Sequence, residues 1–240
     1  MGQMPEADEI LSGKEIAAGF DKLAADLQPL IDNDNCILLS VLNGGLYPLV
    51  RLAEQRNIVF DRLGTEDGLS QASVTTITQD NQGFIWIGTQ EGLNRFDGYS
   101  FKTFYHSTDD PKSLSHSNIG DILTDSAGDI WIGTDNGLNR YNELFGNFEK
   151  ITIDDGSNKN AIAQNSVNVL YEDDQQQLWI GTDQGLLVRS PTGEINHYHH
   201  DASAEHSLGQ GAIRDIIQDS QGRLWIGTER GGLNLFENEA

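Results

Sequence analysis

Trp-Ile-Gly-Thr occurs four times in this 240-residue chain, at 86–89, 131–134, 179–182 and 225–228. All four tryptophans of the protein sit in these copies, and the steps between them are 45, 48 and 46 residues. A period of that size, held this evenly, confines the chain to a repeat architecture. In such a chain each unit is one supersecondary element that buries its apolar faces on its neighbours.

The residues around the first tryptophan say which element. Val74–Thr78, Phe84–Thr89, Leu93–Phe96 and Phe101–Phe104 are short β-prone runs, parted by Asp80-Asn81-Gln82-Gly83, Gln90-Glu91-Gly92 and Asp97-Gly98-Tyr99. Gly-bearing turns between such runs make hairpins, and four strands per period of about 45 residues make a propeller blade. The second unit offers strands at Ile119–Leu123, Ile130–Thr134, Leu138–Tyr141 and Phe148–Ile151. The third offers Val167–Tyr171, Leu178–Thr182, Leu186–Arg189 and Ile195–Tyr198. The fourth offers Ile213–Ile217, Leu224–Thr228 and Leu233–Phe236, with no outer strand after them. Upstream, Val59–Leu63 stands where an orphan outer strand would stand.

The expected fold is therefore all-β over residues 57–240, a β-propeller of four four-stranded blades. Two arrangements are open. Val59–Leu63 can pair beside Leu233–Phe236 and close a ring of four by strand swap, or the blades can form an open arc of a larger propeller. Open blade edges would favour a homo-oligomer.

Residues 1–56 have a different texture. Ser12 and Glu15 form a capping box, and Ile16, Phe20, Leu23, Leu27 and Leu30 share one helical face. Cys36–Leu42 reads as a buried strand, Asn43-Gly44-Gly45 as a tight turn, and 46–55 as a second helix with Pro48 in its first turn. The expectation is a small α/β segment, helix–strand–helix, ahead of the repeats.

Charge narrows the partners. With 37 acidic and 15 basic residues the formal net charge is -22, which argues against nucleic acid, since phosphate binding needs a basic face. No apolar run approaches the ~20 residues that span a bilayer, so no membrane insertion by this chain is expected. Met1–Glu9 is acidic and polar, unlike a secretory signal, which places the chain in the cytoplasm as written. A lone Cys36 excludes an internal disulfide framework.

The repeated residues read first as structure. Asp at the head of the turn before each Trp (80, 125, 173 and 219) can bond turn amides, and Gly at its end can take positive φ, although the third copy has Gln176 there. The spacing is not that of a helix–loop–helix calcium site. Each Trp is expected to fill the gap between neighbouring sheets rather than to act as a sugar platform.

No catalytic constellation is present, so neither an enzyme nor a cofactor is expected. His197, His199, His200 and His206 look metal-like in spacing but lack a partner set, and they read as a solvated loop with no metal. Ligand-binding candidates lie where inner strands begin, at Gln71, Ser73, Ser117, Asn118, Asn165, Ser166 and Gln210. Gln90, Asp135, Asp183 and Glu229, in the loops after Trp-Ile-Gly-Thr, come near them. These side chains suit the hydroxyls of a small polar ligand or glycan; the alternative is a scaffold propeller that only packs on a partner protein.

Asp-x-x-Gly-x-x-Trp-Ile-Gly-Thr-x-x-Gly-Leu-Asn-Arg-Tyr/Phe, together with Gly68-Leu69-Ser70-Gln71 before the first copy, resembles the two-component regulator propeller repeat of bacterial sensor proteins. The resemblance covers residues 57–240. It implies a large periplasmic sensor propeller, coupled across a membrane to a histidine kinase or diguanylate cyclase, with extracellular carbohydrates as ligands. A chain with four such repeats and no output domain is then expected to be a fragment, or a fusion of unrelated genes.

Residues 8–56, from Glu9-Ile10-Leu11-Ser12 to Val41-Leu42-Asn43-Gly44-Gly45, resemble the start of a hypoxanthine/guanine phosphoribosyltransferase. That resemblance implies a phosphate loop at Asn43, Gly44 and Gly45. The family's phosphoribosyl-pyrophosphate signature has no counterpart after residue 56, so transferase activity is not expected.

Overall fold

The computed structural model of the protein describes residues 61–152 and 165–236. The chain divides into two compact units, Met1–Asp61 and Arg62–Ala240, and every described element lies in the second. The helix–strand–helix segment, with Asn43, Gly44 and Gly45, lies outside the described residues.

Four antiparallel sheets follow one another along the chain. The first is β1 (Val74–Gln79), β2 (Ile85–Thr89), β3 (Gly92–Phe96) and β4 (Phe101–Phe104). The second is β5 (Ile119–Thr124), β6 (Ile130–Thr134), β7 (Gly137–Asn142) and β8 (Asn147–Lys150). Next come β9 (Val167–Glu172), β10 (Leu178–Thr182), β11 (Gly185–Arg189) and β12 (Ile195–Tyr198). The last has three strands, β13 (Ile213–Gln218), β14 (Leu224–Thr228) and β15 (Gly232–Phe236). These are the expected strands, each within a residue or two of its expected ends.

Inner strands stack in series: β5 packs on β1, β9 on β5, and β13 on β9. No comparable packing joins β13 to β1 among the described residues. Asp61, Arg62 and Leu63 are not in a strand, Val59 and Phe60 lie outside the described residues, and no described strand pairs with the outer edge of β15. Of the two arrangements expected, the blades adopt the open arc.

Alternation along each strand builds the core between sheets rather than within one. Trp86 and Leu93 of the first blade meet Ile119, Ile122, Ile132 and Tyr141 of the second. Trp131 and Leu138 meet Val167, Leu170 and Ile180 of the third, and Trp179 and Leu186 meet Ile213, Ile216 and Ile226 of the fourth. Each fully buried aliphatic or aromatic side chain there contributes about 1.5–3 kcal/mol. The indole lands on the same place of the next blade each time. Trp86 meets the Tyr141 ring at 4.8 Å, Trp131 lies 5.4 Å from the Arg189 guanidinium, and Trp179 meets Phe236 at 4.9 Å. With Trp86, Trp131 and Trp179 at most 3% exposed, these rings are packing residues and cannot serve as sugar platforms.

The turn before each Trp carries one more bond than expected. Oδ1 of Asp80, Asp125, Asp173 and Asp219 accepts turn amides, and Oδ2 accepts the indole N–H six residues on, at 2.7, 2.8, 2.7 and 2.9 Å. One carboxylate thus fixes both the hairpin and the ring that fills the next gap. Gln176 takes φ 60 where the other copies place Gly83, Gly128 and Gly222.

Asp121 ties three blades together. Its Oδ1 accepts the Thr76 hydroxyl of the first blade at 2.8 Å, and its Oδ2 accepts the Leu170 amide of the third, also at 2.8 Å. Burial raises its pKa above the usual 3.8, against the lowering by these bonds. A carboxyl raised in the folded state adds stability that is fully present below its unfolded pKa and is lost as pH rises through its folded pKa. Against Asp121→Asn, which does not titrate there, the native protein should gain in relative stability as pH falls from neutral to about 4. Urea unfolding of both proteins across that range checks this; a difference that stays flat or shrinks would contradict it.

Candidate functional site

Every inner strand carries a bulge at the same place, skipping Thr75, Gly120, Asn168 or Arg214 in the register with its neighbour. A bulge re-aims the side chain it frees. Thr75 donates its hydroxyl to Ile119 O at 2.8 Å, and Asn168 donates to Ile213 O at 3.3 Å and to Asp183 Oδ1 at 2.9 Å. Arg214 pairs with Glu229 at 3.1 Å, and Gly120 lets the Val167 backbone come close.

The threonine of Trp-Ile-Gly-Thr shapes the facing loops. Thr89, Thr134 and Thr182 each donate to the carbonyl three residues on and accept the amide two residues on. Amides at the head of these loops then bond the segment before the inner strand: Asp135 to Asn118 O, Asp183 to Ser166 O, and Glu229 to Ala212 O. The pairs expected from sequence are therefore neighbours in blades two to four.

Asp135 is the hub. Its Oδ2 accepts Asn118 Nδ2 at 2.7 Å, its Oδ1 accepts the Ser166 hydroxyl of the next blade at 3.1 Å, and His116 Nδ1 stands 4.0 Å from Oδ2. Ser166 also bonds Asn168, which bonds Asp183, so the chain of polar contacts runs from blade two to blade three. On the fourth blade a cavity of about 400 Å³ is lined by Asp183, Gln210, Ala212, Arg214, Glu229 and Arg230, among others. Both charge signs meet there.

Other expected residues have different tasks. Gln71 Oε1 accepts the Ser73 amide at 2.7 Å, Ser117 Oγ accepts the His106 amide at 3.0 Å, and Asn165 O accepts the Gly137 amide. Asn168 and Arg214 were not visible as site residues in the sequence, because a bulge leaves no pattern of its own; His116, in the loop before β5, reaches Asp135 only through the fold.

The histidines are structural in part. His106 and His200 hold equivalent places after an outer strand, and each Nδ1 bonds the leucine carbonyl eight residues on, Leu114 O at 2.7 Å and Leu208 O at 2.8 Å. Among the described residues no three His, Cys, Asp or Glu side chains are grouped to hold a metal. A cavity of about 450 Å³ lies between Leu186, Tyr198, Leu208 and Phe236. It is the space beside a sheet of three strands; in the second blade Phe148 of the fourth strand packs on Tyr141, the counterpart of Phe236, at 5.5 Å.

Fold and loop geometry define a repeat propeller with a bonded belt of polar side chains at the loop end of blades two to four. The repeats belong to the two component regulator propeller family, whose profile matches residues 68–91, 113–136, 161–184 and 207–230. The extracellular domain of the hybrid two component system BT3049 from B. thetaiotaomicron is 32% identical with a TM-score of 0.65, over 74% of this chain and 25% of that one. That of BT4673 from the same organism is 26% identical with a TM-score of 0.60, over 74% and 23%. Histidine kinase P4 of Formosa agariphila is 45% identical over 62 residues, which are 26% of this chain and 4% of that protein. This chain thus spans about a quarter, or less, of each of these relatives.

The family match begins at residue 68 and none of these relatives is a phosphoribosyltransferase, so the resemblance of residues 8–56 is unsupported. The two structural relatives are extracellular domains, which gives the cytoplasmic expectation no support. Among the described residues no helix is long and apolar enough to cross a membrane.

Proposed function

We propose that this propeller is a non-catalytic ligand-sensing module of a hybrid two-component signalling protein. Its ligand is a small, hydroxyl-rich polar molecule held at the loop end of blades two to four. The observation that carries the reading is the convergence of Asn118, Asp135, Ser166, Asn168 and Asp183 into one bonded belt, beside a cavity holding Arg214 and Glu229. Carboxylates and amides accept and donate to hydroxyls at little cost in reorganisation when they are already held by neighbours. The kinship with extracellular domains of hybrid two-component systems supports the sensing role.

A thermal-shift panel of sugars and other small polar molecules tests it, with calorimetry on any hit. A ligand at about 100 times its Kd should stabilise the unit by about 2.7 kcal/mol. Asp183→Ala and Arg214→Ala should each weaken binding about tenfold or more, since each removes a charge-assisted bond. Both side chains are at the surface of a loop or bulge, so the unliganded unfolding temperature should move by no more than about 2 °C. A panel without a binder, or a binder indifferent to both substitutions, would remove this reading.

A further inference from the structure

Blade two shows what the arginine of Leu-Asn-Arg-Tyr/Phe pairs with, and blade one lacks it. Arg140 faces two carboxylates, Asp129 at 3.4 Å and Glu149 at 2.8 Å. Asp129 stands two residues before Trp131, and Glu149 lies across the strand pair from Arg140. In the first blade the same two places hold Phe84, two residues before Trp86, and Lys102, across from Arg95. One acid is replaced by an aromatic ring and the other by a second cation. Like charges set directly opposite each other on neighbouring strands are destabilising. Each cation instead rests on a ring, with the Arg95 guanidinium 4.4 Å from the Phe84 centroid and Lys102 Nζ 5.0 Å from that of Phe104. A ring face attracts the charge but gives the five N–H donors of a guanidinium no lone pair to bond. Neither Arg95 nor Lys102 pairs with a carboxylate among the described residues, in a chain of 37 acidic and 15 basic side chains.

The pair borders a cleft of about 230 Å³ between blades one and two, lined by Phe84, Trp86, Arg95 and Tyr141, among others. It lies at the end of the blades that carries the Asp80 turn, away from the loop belt. The carboxylates in its wall are already engaged. Asp80 accepts the Trp86 indole N–H and the Gln82 and Phe84 amides, and Glu143 accepts Gln82 Nε2. Gly146 of the second blade has no side chain to close the space. Lys102 Nζ and the Tyr141 hydroxyl lie 3.7 and 3.8 Å from where its Cβ would stand. A guanidinium, an ammonium and a phenol hydroxyl are thus brought together from two blades.

We propose that this cleft binds the carboxylate of a small organic acid between Arg95 and Lys102, as Glu149 is bound by Arg140 in the second blade. A guanidinium fork matches a carboxylate with two parallel bonds, and an ammonium adds a point charge beside it. The molecule supplies the template for the class of anion, because the equivalent arginine one blade on is satisfied by carboxylates. Phe84 and Tyr141 give the body of the acid an apolar wall. The net charge of -22 does not oppose this locally, since Arg95 and Lys102 offset Asp80 and Glu143. This inference is independent of the ligand reading at the loop end.

Calorimetric titration of the 240-residue chain with benzoate, in dilute buffer free of other carboxylates and of phosphate, tests it. The native chain should bind benzoate and not its neutral analogue benzamide. Arg95→Gln and Lys102→Glu should each weaken benzoate at least about tenfold, the loss of one charge-assisted contact. Lys102 is exposed and Arg95 half-buried, so circular dichroism of both variants should match the native chain. Lys102→Glu has a second readout that needs no ligand. It sets across from Arg95 the acid that blade two carries, so its urea midpoint should rise above the native one. Benzoate should raise the midpoint of the native chain and leave that of Lys102→Glu where it is. No benzoate binding, equal binding of benzamide or of inorganic phosphate, or an affinity unchanged in either variant would overturn the proposal. A urea midpoint of Lys102→Glu at or below the native one would do the same.

Discussion

Asp173→Ala should lower the stability of the propeller unit by about 3 kcal/mol, the scale of removing a charged acceptor from buried donors. One carboxylate takes four protons: the Trp179 indole N–H at 2.7 Å and Gln177 Nε2 at 3.0 Å on Oδ2, and the Gln175 and Gln177 amides at 2.9 Å on Oδ1. Asp173 is 7% exposed and Trp179 1%, so water cannot replace what is lost. The indole would keep its place between blades three and four with its N–H unpaired. Asp219 gives the internal comparison. It makes the same bonds, and its carboxyl is held well below the usual range, first by the Trp225 indole, yet its side chain is 23% exposed and Trp225 faces the open end of the arc. Asp219→Ala should therefore cost less than Asp173→Ala. Urea unfolding of both variants decides the point; equal losses would mean that burial of the Asp–Trp pair adds nothing to the cost of its removal. In a double-mutant cycle, Asp173→Ala with Trp179→Phe should show a coupling of about 1–2 kcal/mol.

That pair of residues shows where sequence reasoning reached and where it stopped. A period of 45 to 48 residues carrying one Trp each is a signal that depends on many residues at once, and it placed all fifteen described strands. Asp six residues before each Trp was legible as a turn former, because an Asx turn is a local property of the chain. Its second bond was not, since it depends on how the hairpin brings the indole edge back over the carboxylate. The site divides along the same line. Loops joined to the segment before an inner strand follow from blade topology, so Asn118, Asp135, Ser166 and Asp183 could be grouped in advance. Asn168 and Arg214 enter only through a bulge, which shifts the register by one residue and leaves the apolar alternation on either side intact. The open arc was beyond reach for a different reason. Whether four blades close depends on small rotations between sheets, and these are summed over the whole packed face rather than encoded by any one residue type.

The close approach of neighbouring blades rests on the glycine of Trp-Ile-Gly-Thr, and Gly181→Ala should be among the costliest small substitutions in the unit. A Cβ on Gly181 would lie 2.5 Å from Val169 Cγ1 and 2.6 Å from Ile213 Cγ2, the latter on the first residue of the next inner strand. Gly88 and Gly133 meet Ile119 and Val167 in the same way, at 2.7 and 2.5 Å. None of these three glycines needs a positive φ, so their role is close approach alone. Forcing a methyl into that contact pushes two blades apart and should cost about 2–3 kcal/mol, at the upper end of overpacking in a filled core. Gly227 occupies the same place in the fourth blade, but a Cβ there would meet nothing closer than Asp215 at 3.8 Å. Gly227→Ala should leave the unfolding free energy of the monomeric chain within about 0.5 kcal/mol. Chemical unfolding of both variants decides the point: a Gly181→Ala loss no larger than that of Gly227→Ala would mean that the close approach of blade four to this glycine adds nothing to stability.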